Sequence, residues 1–307
     1  MKIAIVGTGG VGGYYGALLA RKGHDVTFIA RGPHLRAIRE KGLDIRSVHG
    51  GFTVSPARAT DNPADVGPVD LVIFATKTYH TDEAARIAKP MVGEGTTAMS
   101  LQNGVDAAER IGAAIGAECL IGGVTWLSAA IEAPGTIGQY SQFRRIAIGE
   151  FDGRTTPRAR AIYDALSGTD ATVELVSDIT RVLWTKFVFI ASVSALGCLT
   201  RVTFGEYRDV PEARAVLTDA IKEVAGVAKA RGIELDSDIT EKTLAFIDSS
   251  AAGIKPSMQR DVEAGRRSEL ESLIGVVVQL GRDLAAPTPV MNLAYSVLKP
   301  AELKAQS

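Results

Sequence analysis

Cysteine and histidine are scarce in this chain of 307 residues. The two cysteines, Cys119 and Cys198, stand far apart in apolar surroundings, so they indicate neither a disulfide framework nor a zinc site. The four histidines show no metal-ligand spacing with one another or with cysteine. These shortages argue against metal catalysis and are typical of a reducing compartment. We therefore expect a cytoplasmic protein that holds no metal.

An excess of charge of either sign is also missing. The formal net charge is −1, which gives no electrostatic reason to expect nucleic acid or an anionic membrane as a partner. The uncharged run at residues 187–200 is too short to span a bilayer and indicates a buried core helix. No signal peptide is expected, because residues 2–6 read as a strand and glycines follow at once. A homodimer is compatible with the sequence, which specifies no oligomeric state.

The chain does have the length and the hydrophobic content for two packed cores, with 46% hydrophobic and 22% charged residues. In its first half, short apolar runs alternate with helical patterns. We predict strands at residues 2–6, 25–30, 70–75, 97–101, 120–128, 136–140 and 145–149. Helices are predicted at residues 10–22, 33–41, 81–89, 105–114 and 156–166. This alternation predicts a doubly wound parallel sheet of the Rossmann type.

The pattern changes near Val176, after which helical periods dominate. Helices are predicted at residues 179–199, 212–231, 239–249 and 258–285, and the tail after Pro300 is expected to be loose. The pair Ser177-Asp178 suits a helix N-cap and a domain boundary. The predicted fold class is α/β, with a Rossmann domain over residues 1–177 and an all-helical domain over residues 178–307.

A glycine motif at the very start of the chain indicates a dinucleotide site. Residues 1–12 read MKIAIVGTGGVG, a strand that leads directly into the motif GxGxxG and then a helix. The first glycine permits the tight turn, the second lets the backbone approach a pyrophosphate, and the third allows close packing of helix on strand. A glycine-rich turn without nucleotide is the alternative. The candidate cofactor-binding residues here are Gly7, Thr8, Gly9, Gly10, Val11 and Gly12.

Arg31 follows the second predicted strand, where NAD sites carry an acidic residue. Residues 27–32 contain no carboxylate, and a guanidinium suits the 2′-phosphate of NADP. NADPH is therefore the expected cofactor, although Arg31 could also be a solvated loop residue. Lys77 and Asn103 follow two later strands, at the edge where such sheets bind ligands. Each could otherwise be an ordinary loop residue.

Three polar residues stand out in the helical half. Lys186 opens a helix whose next residues carry no charge, so burial should lower its pKa toward the range useful for proton transfer. A lysine that snorkels to solvent is the alternative. Ser257 begins a predicted helix, and Glu269 lies three turns along it. Taken singly, these two residues could be a helix cap and an ion-pair partner.

At these residues the sequence resembles the ketopantoate reductase (2-dehydropantoate 2-reductase) family over nearly its whole length. The resemblance rests on an ordered set: the N-terminal GxGxxG, Arg31, Lys77, Gln102-Asn103-Gly104, the Ala-Pro-Gly at residues 133–135, Trp184-x-Lys186, Ser257-Met258 and Glu269. It implies reduction of 2-dehydropantoate to pantoate by NADPH, a step toward pantothenate and coenzyme A. It also implies a Rossmann domain and a helical domain that share substrate and nicotinamide.

The resemblance also implies roles for individual residues. Lys186 would donate the proton, and Glu269 would be the catalytic carboxylate beside cofactor and substrate. Ser257 would hold the substrate carboxylate. Asn103 and Lys77 would lie near the nicotinamide, with Asn103 also touching substrate, and Ala129 would touch the cofactor.

One departure from the family pattern bears on the substrate. Where the family has three asparagines, this chain has Ile190, Ser194 and Phe204, and the first two share a helix face with Lys186. Ile190 and Ser194 are still expected to be at the substrate site. A divergent member that reduces another, less polar 2-keto acid or carbonyl is therefore one alternative. A non-catalytic NADPH-binding sensor is the second, although it would have no need of a proton donor.

Overall fold

The structure is a computed structural model that describes residues 1–306, and these residues form two compact units. The first unit comprises Met1–Gln102 and Ala107–Ile179. The second comprises the short loop Asn103–Asp106 and the chain from Thr180 onward. The chain passes from one unit to the other after Ile179, two residues beyond the position that the sequence suggests.

The first unit is built on twelve strands in two sheets. Their bounds are β1 Lys2–Val6, β2 Asp25–Ile29, β3 Leu43–Ser47, β4 Phe52–Val54, β5 Arg58–Thr60, β6 Leu71–Phe74, β7 Thr97–Ser100, β8 Leu120–Trp126, β9 Ala129–Ala133, β10 Thr136–Gln139, β11 Arg145–Gly149 and β12 Thr172–Leu175. The large sheet has the order β12-β11-β8-β7-β6-β1-β2-β5, and the small one the order β4-β3-β10-β9.

The central strands of the large sheet are parallel and apolar. β1 pairs in parallel with β2 and with β6, and every residue of β6 and β7 is buried. Parallel strands covered on both faces are expected to be apolar without alternation, as the LVIF of β6 is. The expected Rossmann-type sheet is therefore confirmed, with one modification: β11 runs antiparallel to β8.

Helices of the first unit follow the strands, as a doubly wound sheet requires. They are α1 Gly10–Arg21, α2 Gly32–Lys41, α3 Thr81–Ala88, α4 Ala107–Ile115 and α5 Pro157–Leu166. The start of α5 shows the local cause: the Thr156 side chain accepts a hydrogen bond from the backbone N–H of Ala159, and Pro157 occupies the first helical turn.

Every regular element of the second unit, within the described residues, is helical. These helices are α6 Ile179–Thr200, α7 Phe204–Arg208, α8 Pro211–Ala230, α9 Ile239–Ser249, α10 Ser257–Glu263, α11 Val276–Asp283 and α12 Pro289–Lys304. The five residues that directly precede α11, Glu271–Gly275, form a turn of π-helix. An all-helical second part is thus confirmed.

Helix α6 forms the centre of the second unit. Among the described residues it is the one helix that is long and apolar enough to cross a membrane, by length and composition alone. However, 61% of its most apolar stretch of 18 residues is buried inside the protein. Its side chains Trp184, Phe187 and Val188 belong to the hydrophobic core of this unit. It is therefore a core helix, as the uncharged run at residues 187–200 indicates.

Two predictions for the C-terminal half are wrong. The predicted continuous helix over residues 258–285 ends after Glu263, where Gly265 takes a left-handed backbone conformation with φ of 64°, and resumes near Leu270. The tail after Pro300 is also not loose, because α12 runs to Lys304 and buries Glu302.

Candidate active site

The glycine motif forms the turn between β1 and α1. Gly7 has φ of 99°, and a Cβ there would lie 2.7 Å from the backbone nitrogen of Thr76. A Cβ on Gly12 would overlap the carbonyl oxygen of Gly7, so the helix can start this close to the strand only without a side chain. Both positions require glycine for the reasons that the sequence pattern suggests.

Gly9 differs from its neighbours because nothing lies within 4 Å of the position of its missing Cβ. It caps the N-terminus of α1 with φ of −85°, a conformation that any residue can adopt, so the fold itself does not demand a glycine here. The open space lies at the N-terminus of a twelve-residue helix, where backbone N–H groups favour an anion. This loop therefore fits the pyrophosphate of a dinucleotide.

The remaining residues of the motif complete this loop, which we call the dinucleotide cradle. The backbone N–H of Thr8 and its hydroxyl both donate to the carbonyl oxygen of Ile29, which ties the loop to the end of β2. A Cβ on Gly10 would overlap the carbonyl of Ala129, so the first residue of β9 lies against the start of α1. Val11 packs against the core of the sheet. The structure thus brings Ala129 to the glycine loop.

Arg31 precedes α2 at the end of β2, and its side chain is 63% exposed. Its Nη2 lies 2.9 Å from Oε1 of Glu83, in the first turn of α3. The other carboxylate oxygen of Glu83 lies 3.2 Å from Nδ1 of His80. Residues 27–32 contain no carboxylate, but the fold places the carboxylate of Glu83, from α3, beside Arg31.

Lys77 lies three residues after the end of β6, in the segment that leads into α3. Gln102, which the sequence indicated only as part of the Gln102-Asn103-Gly104 triplet, holds this segment. Its Nε2 donates to the carbonyl oxygen and the hydroxyl of Thr76, at 3.1 Å each, and to the Thr81 hydroxyl at 2.9 Å. Gln102 is buried, so these bonds are shielded from water and locate the loop that carries Lys77.

His34 is a residue that the sequence did not single out. Its Nδ1 accepts a hydrogen bond of 3.0 Å from the backbone N–H of Gly135, in the turn between β9 and β10. Burial lowers the pKa of this imidazole. A neutral His34 therefore joins α2 to the turn between β9 and β10. The Ala-Pro-Gly at residues 133–135 was the available signal.

In the second unit the central contact joins Lys186 to Asn103. Nζ of Lys186 donates to Oδ1 of Asn103 at 2.9 Å, and both side chains are half-buried. Lys186 lies in the second turn of α6, whereas Asn103 belongs to the short loop after β7 that groups with this unit. Gly104, with φ of 93°, lets the loop pass close to the backbone of Ser272.

The apolar surroundings of Lys186 alter its protonation. Burial lowers the pKa of this ammonium to about 8, and the nearby charge of Glu269 opposes that shift. The side chain is therefore protonated at neutral pH but close to its pKa, which is the range in which a general acid works well. α6 begins seven residues before Lys186 and includes Arg181, so Lys186 does not open the helix, but the lowered pKa was expected from its place directly before the uncharged run at residues 187–200.

Glu269 is 4% exposed and lies just before the turn of π-helix. Because α10 ends at Glu263, Glu269 does not share a helix with Ser257 as predicted. The adjacent Ser268 is fixed instead by Glu302, whose carboxylate accepts from the Ser268 backbone N–H at 3.0 Å and from its hydroxyl at 2.6 Å. Glu302 thus positions the segment that carries Glu269, and sequence reasoning missed it.

Ser257 is the first residue of α10 and is half-buried. The residue in the N-cap position is Pro256, so the Ser257 hydroxyl does not cap this helix. This removes the simplest structural explanation for the serine.

The three positions that depart from the family pattern differ in accessibility. Ile190 is half-buried at the border of the core. Ser194 is fully buried, and its hydroxyl has no hydrogen-bond partner. Phe204 is 2% exposed and packs edge-on against Phe189 in the core. Of the three, only Ile190 retains surface that a ligand could touch.

The first unit is of the Rossmann type and has a dinucleotide cradle, and the helical second unit contains a lysine whose pKa is lowered. Together these features are those of a nicotinamide-dependent oxidoreductase. Comparison with known proteins identifies the family. Residues 3–153 match the model of ketopantoate reductase PanE/ApbA, and residues 178–302 match that of its C-terminal part. The chain belongs to the ketopantoate reductase family, as the sequence motifs indicate.

Individual relatives cover almost the entire chain. An uncharacterized oxidoreductase of Bacillus subtilis, YkpB, is 30% identical over 97% of this chain and 98% of its own. The 2-dehydropantoate 2-reductase of Pyrococcus abyssi is 29% identical over 98% of both. The crystal structure of 2-dehydropantoate 2-reductase from Geobacter metallireducens covers 98% of this chain and 100% of its own, with 30% identity and a TM-score of 0.92.

Proposed function

We propose that this oxidoreductase uses NADPH to reduce a 2-keto acid to a 2-hydroxy acid, with 2-dehydropantoate as the first candidate substrate. The observation that carries the proposal is the half-buried Lys186, hydrogen-bonded to Asn103 and influenced by the charge of Glu269. A ketone that accepts a hydride becomes an alkoxide, which requires a proton donor and a positive charge. The relatives named 2-dehydropantoate 2-reductase support the substrate.

NADPH would be held by the residues of the first unit. When bound, it supplies the hydride for the substrate carbonyl. The backbone of residues 7–12 would receive the pyrophosphate, and the Arg31 guanidinium would pair with the 2′-phosphate. Lys77 and Ala129 would touch the cofactor, and so would Asn103 and Glu269 from the second unit.

Lys186 would act on the oxygen of the substrate carbonyl. As an ammonium it stabilises the developing negative charge and then donates a proton from Nζ. The amide oxygen of Asn103 occupies one of its three N–H donors and orients the others. Ser257, whose hydroxyl is not used as a helix cap, would hold the substrate carboxylate, and Glu269 would complete the catalytic pair.

A less polar 2-keto acid is the second candidate, and Ile190 favours it. This side chain lies one helical turn after Lys186 and retains exposed surface. An aliphatic group at this position cannot hydrogen-bond a hydroxyl on the substrate. It would instead pack against an apolar substituent, and an apolar pocket discriminates only weakly between substrates.

A substrate panel tests the proposal. NADPH oxidation would be followed with 2-dehydropantoate, 2-ketoisovalerate and phenylglyoxylate, with Lys186→Ala as the matched control. We expect turnover of at least one acid and its loss in the variant. Tight binding of NADPH without turnover of any acid would contradict the proposal and favour a sensor.

A further inference from the structure

The contact between Arg31 and Glu83 bears on the cofactor preference of this chain. Nη2 of Arg31 and Oε1 of Glu83 are 2.9 Å apart. The second oxygen of Glu83 contacts the imidazole of His80 at 3.2 Å. Glu83 also stands in the first turn of α3, where the helix dipole favours a carboxylate. The contact with His80 and the position in the first turn of α3 thus both support a carboxylate beside the guanidinium.

The two groups are the ones that distinguish the two nicotinamide cofactors. A carboxylate near the end of the second strand suits the ribose 2′-hydroxyl of NADH, whereas an arginine suits the 2′-phosphate of NADPH. Most Rossmann sites carry one or the other in the loop that follows the strand. In this chain Arg31 comes from that loop and Glu83 from α3, and they are paired with each other.

We propose that Glu83 lowers the preference of this chain for NADPH over NADH by competing with the 2′-phosphate of NADPH for Arg31. The proposal rests on the role of Arg31 given under Proposed function. NADPH would have to share the guanidinium with Glu83 or displace it, and the two anions would repel each other. NADH brings no phosphate, so the Arg31–Glu83 pair can persist when it binds.

The size of the effect follows from the exposure of the pair. The side chains of Arg31 and Glu83 are 63% and 38% exposed, and an ion pair in that setting contributes little. Glu83 should therefore weaken NADPH binding by about two- to fivefold. The site would still prefer NADPH, but by less than the arginine alone would give.

Glu83→Gln tests the competition. Fluorescence titration of the full chain should give an NADPH Kd about two- to fivefold lower than that of the wild type, with little change for NADH. Asp82→Asn is the matched control: it removes the same charge from the adjacent residue, whose carboxylate pairs with Arg110 at 2.9 Å instead. An unchanged ratio of the two Kd values in Glu83→Gln, or an equal change in Asp82→Asn, would overturn the proposal.

Arg31→Ala separates this inference from the proposed function. If Arg31→Ala leaves the Kd of NADPH relative to that of NADH unchanged, the 2′-phosphate role of Arg31 is wrong. If Arg31→Ala raises this relative Kd while Glu83→Gln has no effect on it, only the competition is wrong. In the double variant the gain from Glu83→Gln should disappear, since no guanidinium remains to be shared. A gain of equal size in the Arg31→Ala background would show that Glu83 acts without Arg31 and would overturn the competition.

Discussion

The ammonium of Lys186 and the amide oxygen of Asn103 lie 2.9 Å apart, although 83 residues separate them in the chain. An amide oxygen orients the ammonium without neutralising it, and two N–H donors remain for a ligand. Burial lowers the pKa of Lys186 to about 8. A charged, oriented donor close to its pKa is what reduction of a ketone requires.

The first prediction is the pH dependence of turnover. Reduction needs the protonated lysine, so kcat/KM for a 2-keto acid should be constant at neutral pH and fall as the pH rises through about 8. Oxidation of the 2-hydroxy acid needs the neutral amine and should rise over the same range. Lys186→Arg should lose this inflection, because a guanidinium stays protonated. An unchanged profile in that variant would assign the titration to another group.

The second prediction is that Lys186→Met loses turnover but gains stability. Turnover should fall by about 10²–10⁴-fold with NADPH affinity retained. The pKa of Lys186 is lower in the folded than in the unfolded chain, so below about pH 8 its burial as a cation opposes folding. Replacement by Met should therefore stabilise the protein by roughly 1–3 kcal/mol at pH 7.

The difference in the pKa of Lys186 between the folded and the unfolded chain also determines how the stabilisation by Lys186→Met depends on pH. Between about pH 8 and the ordinary lysine pKa of 10.5 the folded chain releases the proton first, so wild-type stability rises relative to the variant. Thermal melting at pH 7 and pH 10 should show the advantage of Lys186→Met shrinking. A variant less stable than the wild type at pH 7 would mean that the hydrogen bond to Asn103 outweighs the burial cost.

Sequence periodicity was sufficient for the central strands and for the glycine loop. β1 and its motif could be recognised because a buried parallel strand is continuously apolar and only glycine suits φ of 99° at Gly7. Lys186 could be recognised because a charge directly before the long uncharged run of a buried helix is costly. In each case the cause is local in the chain.

The features that were missed depend on distant contacts. Glu83 approaches Arg31 only because α3 and the end of β2 meet in the fold. Glu302 is buried where it accepts hydrogen bonds from Ser268, 34 residues earlier in the chain, and the composition of the tail does not reveal that contact. The break after Glu263 had a local signal in Gly265, which the helical period of the surrounding residues masked.

The third prediction concerns Glu302. Glu302→Ala should destabilise the protein by about 1–3 kcal/mol, because the buried N–H and hydroxyl of Ser268 lose their acceptor. It should also lower kcat more than it raises the Kd for NADPH, since the adjacent Glu269 is no longer held in place. Glu302→Gln keeps one acceptor oxygen and should recover part of both losses. Wild-type melting and turnover in Glu302→Ala would mean that α12 does not support the site.

The fourth prediction contrasts two glycines of the same motif. Gly9→Val should fold normally, because its Cβ meets nothing within 4 Å, but its side chain fills the space proposed for the pyrophosphate. NADPH binding should be lost in a fluorescence titration. Gly12→Ala should instead lower the melting temperature, since its Cβ overlaps the carbonyl oxygen of Gly7. Normal NADPH affinity in folded Gly9→Val would refute the placement of the phosphates.

The fifth prediction concerns the choice of substrate and treats Ile190 and Ser194 differently. Ser194 is fully buried, so Ser194→Asn should overpack the core and cost about 1–3 kcal/mol of stability. Ile190 retains surface, so Ile190→Asn should be tolerated and present an amide one turn from Lys186.

Ile190→Asn should raise kcat/KM for 2-dehydropantoate relative to 2-ketoisovalerate, which lacks the hydroxyl group. A recovered hydrogen bond contributes about 0.5–1.5 kcal/mol, which corresponds to a change in preference of roughly two- to tenfold. Ile190→Leu is the control, because it alters the shape of the side chain without adding a polar group, and it should leave the ratio near that of the wild type. If the wild type already reduces 2-dehydropantoate efficiently and Ile190→Asn leaves the ratio unchanged, Ile190 does not select the substrate. Recognition of the hydroxyl would then have to come from other groups, with Ser257 and Asn103 the next positions to vary.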